Sequence, residues 1–286
     1  MSVTVSLINR KGGVGKTTLS AQLAHTADRR GLRTLVVDLD PQSHLSRSIL
    51  SSEKYIKLLK DKKPTISALF EGYLPPMDGS GSSKPVNIND VIIKKAGYWE
   101  GTTLEFIPSR LDLFHTLKNP TGKERRLAKA LSKVSEQYDL ILLDCPPTES
   151  ILTEAAYHAS RYVLVPVKPE FLSTIGLPLL ARSINEFKYD NTDHDLDICG
   201  IVFNHSSSRC EGPQVKKSVK DVQMEVKKNG WHIYNTHVRY STSYPKSVRE
   251  RTPIENTSHV RWEVAEEFSK FVDELFASVG LDKATS

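Results

Sequence analysis

Lys11-Gly12-Gly13-Val14-Gly15-Lys16-Thr17-Thr18 stands between the apolar run Val3–Asn9 and a segment where Leu19, Leu23, Ala24 and Ala27 recur at helical spacing until Gly31. Strand, glycine-rich turn and helix in that order suit a phosphate group. Glycines let backbone N–H groups turn inward around the oxygens, and the helix adds the positive end of its dipole. In this pattern Lys16 reaches the β- and γ-phosphates and the Thr17 hydroxyl ligates Mg²⁺. The strict phosphate-loop pattern asks for glycine five residues before Gly15, where this chain has Arg10. Lys11 is a second oddity, because a lysine at the mouth of a cationic loop repels Lys16 unless a polyanion lies between them. A glycine-rich turn with two solvated lysines is the plain alternative, and the surrounding pattern argues against it.

Working outward, Arg33–Asp38 is apolar at nearly every position, as parallel strands covered on both faces tend to be. The same style returns at Thr103–Pro108, Leu140–Asp144, Tyr162–Val167 and Ile198–Asn204, with helical patterns such as Glu124–Gln137 and Ser173–Phe187 between them. Alternating strands and helices predict an α/β fold with a doubly wound, mostly parallel sheet. Pro75–Pro85 and His205–Pro213 are loops by composition, and residues 51–101 look like an insertion on the sheet. No Pro/Ser-rich linker separates two alternating patterns, so one domain spanning 1–286 is expected.

Three aspartates end strands in this pattern. Asp38 and Asp40 lie in VVDLDPQ, and Asp144 in LILLDCPP. Ligands of open α/β sheets sit beyond the carboxyl ends of the strands, so all three carboxylates can face the same phosphates. Asp144 fits a carboxylate that organises Mg²⁺ through a coordinated water, with Thr17 and Asp38 as its candidate metal-side neighbours. Asp38 or Asp40 could orient the attacking water. A lone strand-end aspartate often only caps the next turn, but three beside a phosphate loop form a constellation.

Composition narrows the classes further. The 286 residues are 38% apolar and 26% charged, ordinary for a globular chain, and 39 Lys+Arg against 34 Asp+Glu leave +5. No apolar run approaches the length of a membrane span, and the N-terminal stretch does not read as a secretory signal. Cys145, Cys199 and Cys210 form no CxxC pair, which argues against a disulfide framework or zinc site and for a cytoplasmic protein.

KGGVGKTT (Lys11–Thr18), DLDPQ (Asp38–Gln42) and DCPP (Asp144–Pro147) resemble the deviant Walker A ATPases of the ParA/MinD family. The likeness spans most of the chain, since VPVKPE (Val165–Glu170) and the strand ending at Asn204 sit where that family carries elements near the nucleobase. The resemblance implies a P-loop NTPase fold that binds ATP and Mg²⁺ through Lys11, Gly12, Gly13, Val14, Gly15, Lys16, Thr17, Thr18 and Asn204. It implies that Lys11 is the signature lysine, reaching across a nucleotide-sandwich homodimer to the partner's phosphates. It further implies that Asp40 positions the hydrolytic water and that Asp144 and Thr17 serve Mg²⁺. MinD-like members end in an amphipathic membrane helix, whereas here Val260–Val279 sets Trp262, Phe268, Phe271, Leu275 and Phe276 against a strongly acidic face. Anionic lipid would repel that face, so a core-packed terminal helix and no membrane partner are expected. With the first strand at residue 3, the short ParA type is expected: a partition ATPase working with a cargo-bound adaptor of ParB type on the nucleoid. The same motifs would serve a MinD-like division-site regulator or a positioning ATPase for a protein cargo.

The positive charge is uneven. His205–Arg251 carries ten basic residues against four acidic, whereas Thr252–Ser286 carries three against seven. Such asymmetry points to a polyanion. HVRYSTSYPKSVRERTPI resembles the family segment that touches DNA without reading sequence, which implies contacts from Arg239, Lys246, Arg249 and Arg251. A solvated basic face is the alternative, above all for Lys216–Lys228. No recognition helix, zinc finger or aromatic platform is evident, so double-stranded DNA would be bound nonspecifically through phosphate.

Overall fold

The computed structural model describes residues 2–74, 84–206 and 212–281, with backbone alone at 74 and 171–175. Strand β1 (Val3–Leu7) leads through the phosphate loop into α1 (Lys16–Arg29), and β2 (Thr34–Asp38) follows. Next come α2 (His44–Leu50), α3 (Ser52–Lys60), α4 (Ile66–Glu71) and a small ribbon, β3 (Tyr73–Leu74) with β4 (Lys84–Pro85). β5 (Glu105–Ile107), α5 (Phe114–Lys118), α6 (Arg126–Leu131), β6 (Leu140–Asp144) and α7 (Ile151–Ala159) then return to the sheet. β7 (Tyr162–Val167), α8 (Phe171–Asp190) and β8 (Asp197–Phe203) complete it, before α9 (Pro213–Lys228), α10 (Ser243–Glu250) and α11 (Trp262–Val279).

The main sheet runs β5-β2-β6-β1-β7-β8, and every pairing between these strands is parallel. This is the doubly wound, mostly parallel sheet expected from the alternating pattern. Its central strands are buried at nearly every position because both faces are covered. On one face, Phe70, Leu127, Leu152, Tyr157, Leu180 and Val222 pack against the sheet. On the other, Leu19, Leu23, Leu45, Ile49, Phe268 and Phe271 do the same. Asp144 is in register with both Leu7 and Asp38. That alignment brings the ends of β1, β2 and β6, and so the three loops they feed, to one edge.

Helix α11 is built into the core: Val264, Phe268, Phe271, Val272, Leu275, Phe276 and Val279 are buried. Trp262, counted on the apolar side from spacing, is 68% exposed because it opens the helix before the first core turn. No described helix is long and apolar enough to cross a membrane. The pattern over 124–137 resolves into α6 and a 3₁₀ turn at Ser135–Gln137. Val134 leaves helical geometry there, and Tyr138 can then donate to the Glu105 carboxylate at 2.5 Å. The region from 51 to 101 carries α3, α4 and the ribbon, and Asp28 of α1 ties its return. That carboxylate accepts from Trp99 Nε1 at 2.6 Å, Thr102 Oγ1 at 2.7 Å and the Thr103 N–H at 2.8 Å. Most of the Pro75–Pro85 loop, and Cys210 with its neighbours, lie outside the described residues. Cys145 and Cys199 are buried free thiols.

Candidate nucleotide site

The loop is shaped for an anion by its backbone. Gly15, at φ +90°, could not take a side chain, because an added Cβ would stand 2.1 Å from the amide nitrogen of Asn204. Asn204, at the end of β8, donates from Nδ2 to the Val14 carbonyl at 2.7 Å and braces the loop from above. Asn9 braces it from below: its Oδ1 accepts from the Lys11 N–H at 2.8 Å, while its Nδ2 donates to Pro166 O at 2.7 Å. Lys16 is buried, with Nζ donating to Asn9 O at 2.8 Å and Lys11 O at 3.3 Å. Burial pulls its pKa down, and the Asp144 carboxylate opposes that shift. A cationic nitrogen held only by carbonyl dipoles is poised for a stronger anion.

Asp144 faces the start of α1. One oxygen accepts from Thr17 Oγ1 and the other from Ser20 Oγ, both at 2.9 Å. Burial raises its pKa, against the two hydroxyl donors and the Lys16 charge. Asp38 is turned toward α2 instead. Its oxygens accept from the Asp40 N–H at 3.0 Å, the Ser46 N–H at 2.9 Å and Ser46 Oγ at 2.7 Å. Burial and the neighbouring Asp144 raise the Asp38 pKa as well. Asp40 is only partly buried, and one of its oxygens accepts from the Gln42 N–H at 2.9 Å.

Asp40 lines a cavity of about 830 Å³ with Gly12, Gly13, Gly15, Lys16, Thr17 and Thr18. The lining also includes Gln42, both His44 and Ser48 of α2, Pro147, His205, and Pro245, Val248 and Arg249 of α10. That volume suits a nucleotide-sized ligand. The residue types also suit its metal: a Thr17 hydroxyl one hydrogen bond from a buried carboxylate is the donor pair a hard, oxygen-seeking cation takes.

Two residues at the loop's mouth are held by carboxylates that the sequence did not signal. Lys11 Nζ pairs with Glu170 at 2.5 Å, and this bond lowers the Glu170 pKa. Arg10, where the strict pattern has glycine, pairs with Glu149 at 3.2 Å and donates to Leu179 O of α8. Lys11 therefore lies along its own protomer rather than projecting outward.

The basic segment is close by. Gln22 of α1 donates from Nε2 to Ser247 Oγ of α10 at 2.8 Å, and its Oε1 accepts from the Ile254 N–H at 2.7 Å. The helix that starts at the phosphate loop thus carries α10 on its flank. Arg249 is exposed on the cavity rim, whereas Lys246 lies 3.9 Å from Glu250 and Arg251 adopts left-handed backbone at φ +52° to end α10. Arg239 is engaged: its N–H and Nε donate to the two oxygens of Glu267, at 2.7 and 2.8 Å. Ser20, Ser46, Gln22, Glu170 and the α10 wall were not foreseen. Only Ser20 had a signal, one helical turn after Lys16.

Comparison with known proteins agrees with this arrangement. A family model described as an AAA domain matches residues 2–198. The sporulation initiation inhibitor protein Soj of Bacillus subtilis is 30% identical over 251 residues, 87% of this chain and 86% of that protein. The chromosome-partitioning ATPase Soj of Thermus thermophilus is 29% identical over 274 residues, 94% and 96% of the two chains. Among solved structures, the ATP complex of a Cyanothece McdA variant superposes with a TM-score of 0.75 over 96% of each chain. At 17% identity that likeness speaks for the fold alone. Phosphate loop, aligned strand-end aspartates and these relatives together make the chain a member of the ParA/MinD family of P-loop ATPases.

Proposed function

We propose that this chain is a Mg²⁺-dependent, single-domain ATPase that dimerises around ATP, binds duplex DNA without regard to sequence and drives partition of a DNA cargo. One observation carries the reading: the phosphate loop and basic helix α10 line the same cavity, and Gln22 of α1 bonds α10 to the helix that starts at that loop. A ligand filling that cavity touches both, so nucleotide state can set where the α10 charges stand.

In this reading Lys16 exchanges its two carbonyl acceptors for phosphate oxygens, a charge-assisted bond stronger than either. Bound Mg²⁺ would offset the charge of the β- and γ-phosphates. Thr17 would hold it directly and Asp144 through water, while Asp38, whose oxygens accept from Ser46 of α2 and from the Asp40 N–H, shapes the loop that carries Asp40. Asp40 accepts a hydrogen bond from the attacking water and aims it. Lys11 leaves Glu170 and crosses to the partner protomer, where two facing nucleotides concentrate negative charge. Hydrolysis must be slow until an adaptor on the cargo accelerates it, because a fast ATPase could not hold a DNA-bound state. Such a protein would reside on the nucleoid.

Sedimentation of Asp40→Ala with ATP and Mg²⁺ tests the arrangement. The expected result is bound ATP, a stable dimer and no turnover. A monomer that still hydrolyses ATP would overturn both the sandwich and the role of Asp40.

A further inference from the structure

Helix α3 lies outside the cavity, in the region between β2 and β5. Tyr55 and Leu58 are its buried residues, and they fix which face is turned inward. Lys54, Lys57 and Lys60 then fall on one exposed flank, one residue per turn, and Lys62 and Lys63 continue just beyond the helix. Glu53 and Asp61 are the acidic residues of that stretch, so residues 52–63 hold five lysines against two acids. The segment 239–251 holds four basic residues against one acid, the same net charge of +3. The two regions differ in how that charge is held. Arg239 is committed to Glu267, and Lys246 leans toward Glu250. Among the described residues, none of the five lysines has an ion pair or a side-chain hydrogen bond.

Position adds to charge. α2 packs against both α3 and α10, and α1, α2 and α3 cover the same face of the sheet. From Lys54 to Lys60 the row runs about 9 Å along the helix. Duplex DNA presents one phosphate charge per about 1.7 Å of axis, so a row of that length meets several. Lysine suits that contact, as a compact charge on a flexible stem that needs no fixed geometry. Exposed Ile56 (49%) and Leu59 (39%) carry no charge, and Ile56 borders Lys60 one helical turn on.

We propose that α3 is a second phosphate-contacting element, using Lys54, Lys57, Lys60, Lys62 and Lys63 to extend the DNA surface of α10 across α2. The inference rests on the DNA reading above and adds to it where much of the binding charge resides. The lysines tolerate replacement because they are exposed, so the test does not depend on a risky core change.

The experiment is a titration of a sequence-random duplex with full-length protein, a non-hydrolysable ATP analogue and several salt concentrations. The triple variant Lys54→Ala/Lys57→Ala/Lys60→Ala should lose, for each protomer engaged, on the order of 50-fold in affinity near about 0.2 M salt and about 2.7 in log–log salt slope. Its ATP turnover without DNA should match wild type. The double variant Ile56→Ser/Leu59→Ser should bind DNA as wild type does. Unchanged affinity and slope in the triple variant, with wild type still binding DNA, would overturn this inference and leave the functional reading intact. Wild type that binds no DNA in any nucleotide state would remove both. An equal loss from the serine variant would overturn the phosphate assignment, because the intactness of α3 rather than its lysine charge would then set the affinity.

Discussion

Around the phosphate loop, Lys16, Lys11, Arg10, Asp38 and Asp144 each have a fixed partner, whereas along α3 the lysines stand in water with none among the described residues. The first region is preorganised. Its bonds are set before a ligand arrives, so binding there exchanges one set of acceptors for a better one. The second is a diffuse charge that any polyanion can use at small entropic cost, and one that salt screens. Chemistry needs the first kind of region and sequence-independent holding needs the second. α10 lies between them, tied to α1 through Gln22 yet exposing Arg249 at the cavity rim.

The sharpest way to break this comparison is Lys16→Ala. Its charge has no substitute in the loop, since Lys11 stands at the loop's mouth beside Glu170 rather than buried within it. ATP affinity should fall more than a hundredfold, about 3 kcal/mol for the lost charge-assisted bonds. Equilibrium dialysis that finds undiminished affinity would remove the preorganised site.

Lys11→Ala should have a narrower effect. ATP should still bind, but sedimentation with a non-hydrolysable analogue should show monomer at concentrations where wild type dimerises. Glu170→Ala should do the reverse, strengthening the dimer by no more than a few-fold, because Glu170 is half exposed and such pairs contribute about 0–1 kcal/mol. Normal dimerisation of Lys11→Ala would make that lysine a loop residue only.

The last effect touches stability at low pH and leaves binding at neutral pH unchanged. His25 of α1 is buried edge-on to Tyr98, and its Nδ1 has no hydrogen-bond partner. Burial pushes its pKa down to about 4 from 6.5. Between those values the unfolded chain takes up a proton that the folded chain refuses. Stability is therefore complete above pH 6.5 and falls as the pH drops toward 4, by at most about 3 kcal/mol. His25→Phe keeps the ring and should flatten that part of the curve in denaturant titrations. An unchanged acid dependence would show that His25 is protonated in the native state.

The parts legible in the sequence share one property: their cause is local. Strand, glycine turn and helix lie within Val3–Arg29, and apolar runs ending in Asp38 and Asp144 announce buried parallel strands. Partners that meet only through the fold were invisible. Ser46 captures Asp38, Glu170 captures Lys11, and Gln22 reaches Ser247 across 225 positions. The resemblance of its segment marks Arg239 as a DNA contact, while the Glu267 that engages it comes from α11. Charge counting also passed over α3, since which flank its lysines take depends on burying Tyr55 and Leu58.

The central claim, that one nucleotide cavity governs the basic surface, is tested most directly by duplex DNA affinity measured with a non-hydrolysable ATP analogue, with ADP and with no nucleotide, each at several salt concentrations. The account predicts binding with the analogue only, equal for unrelated sequences, with log affinity falling linearly in log salt at about −0.9 per phosphate contacted. Equal binding in all three nucleotide states, or a strong preference for one sequence, would contradict it.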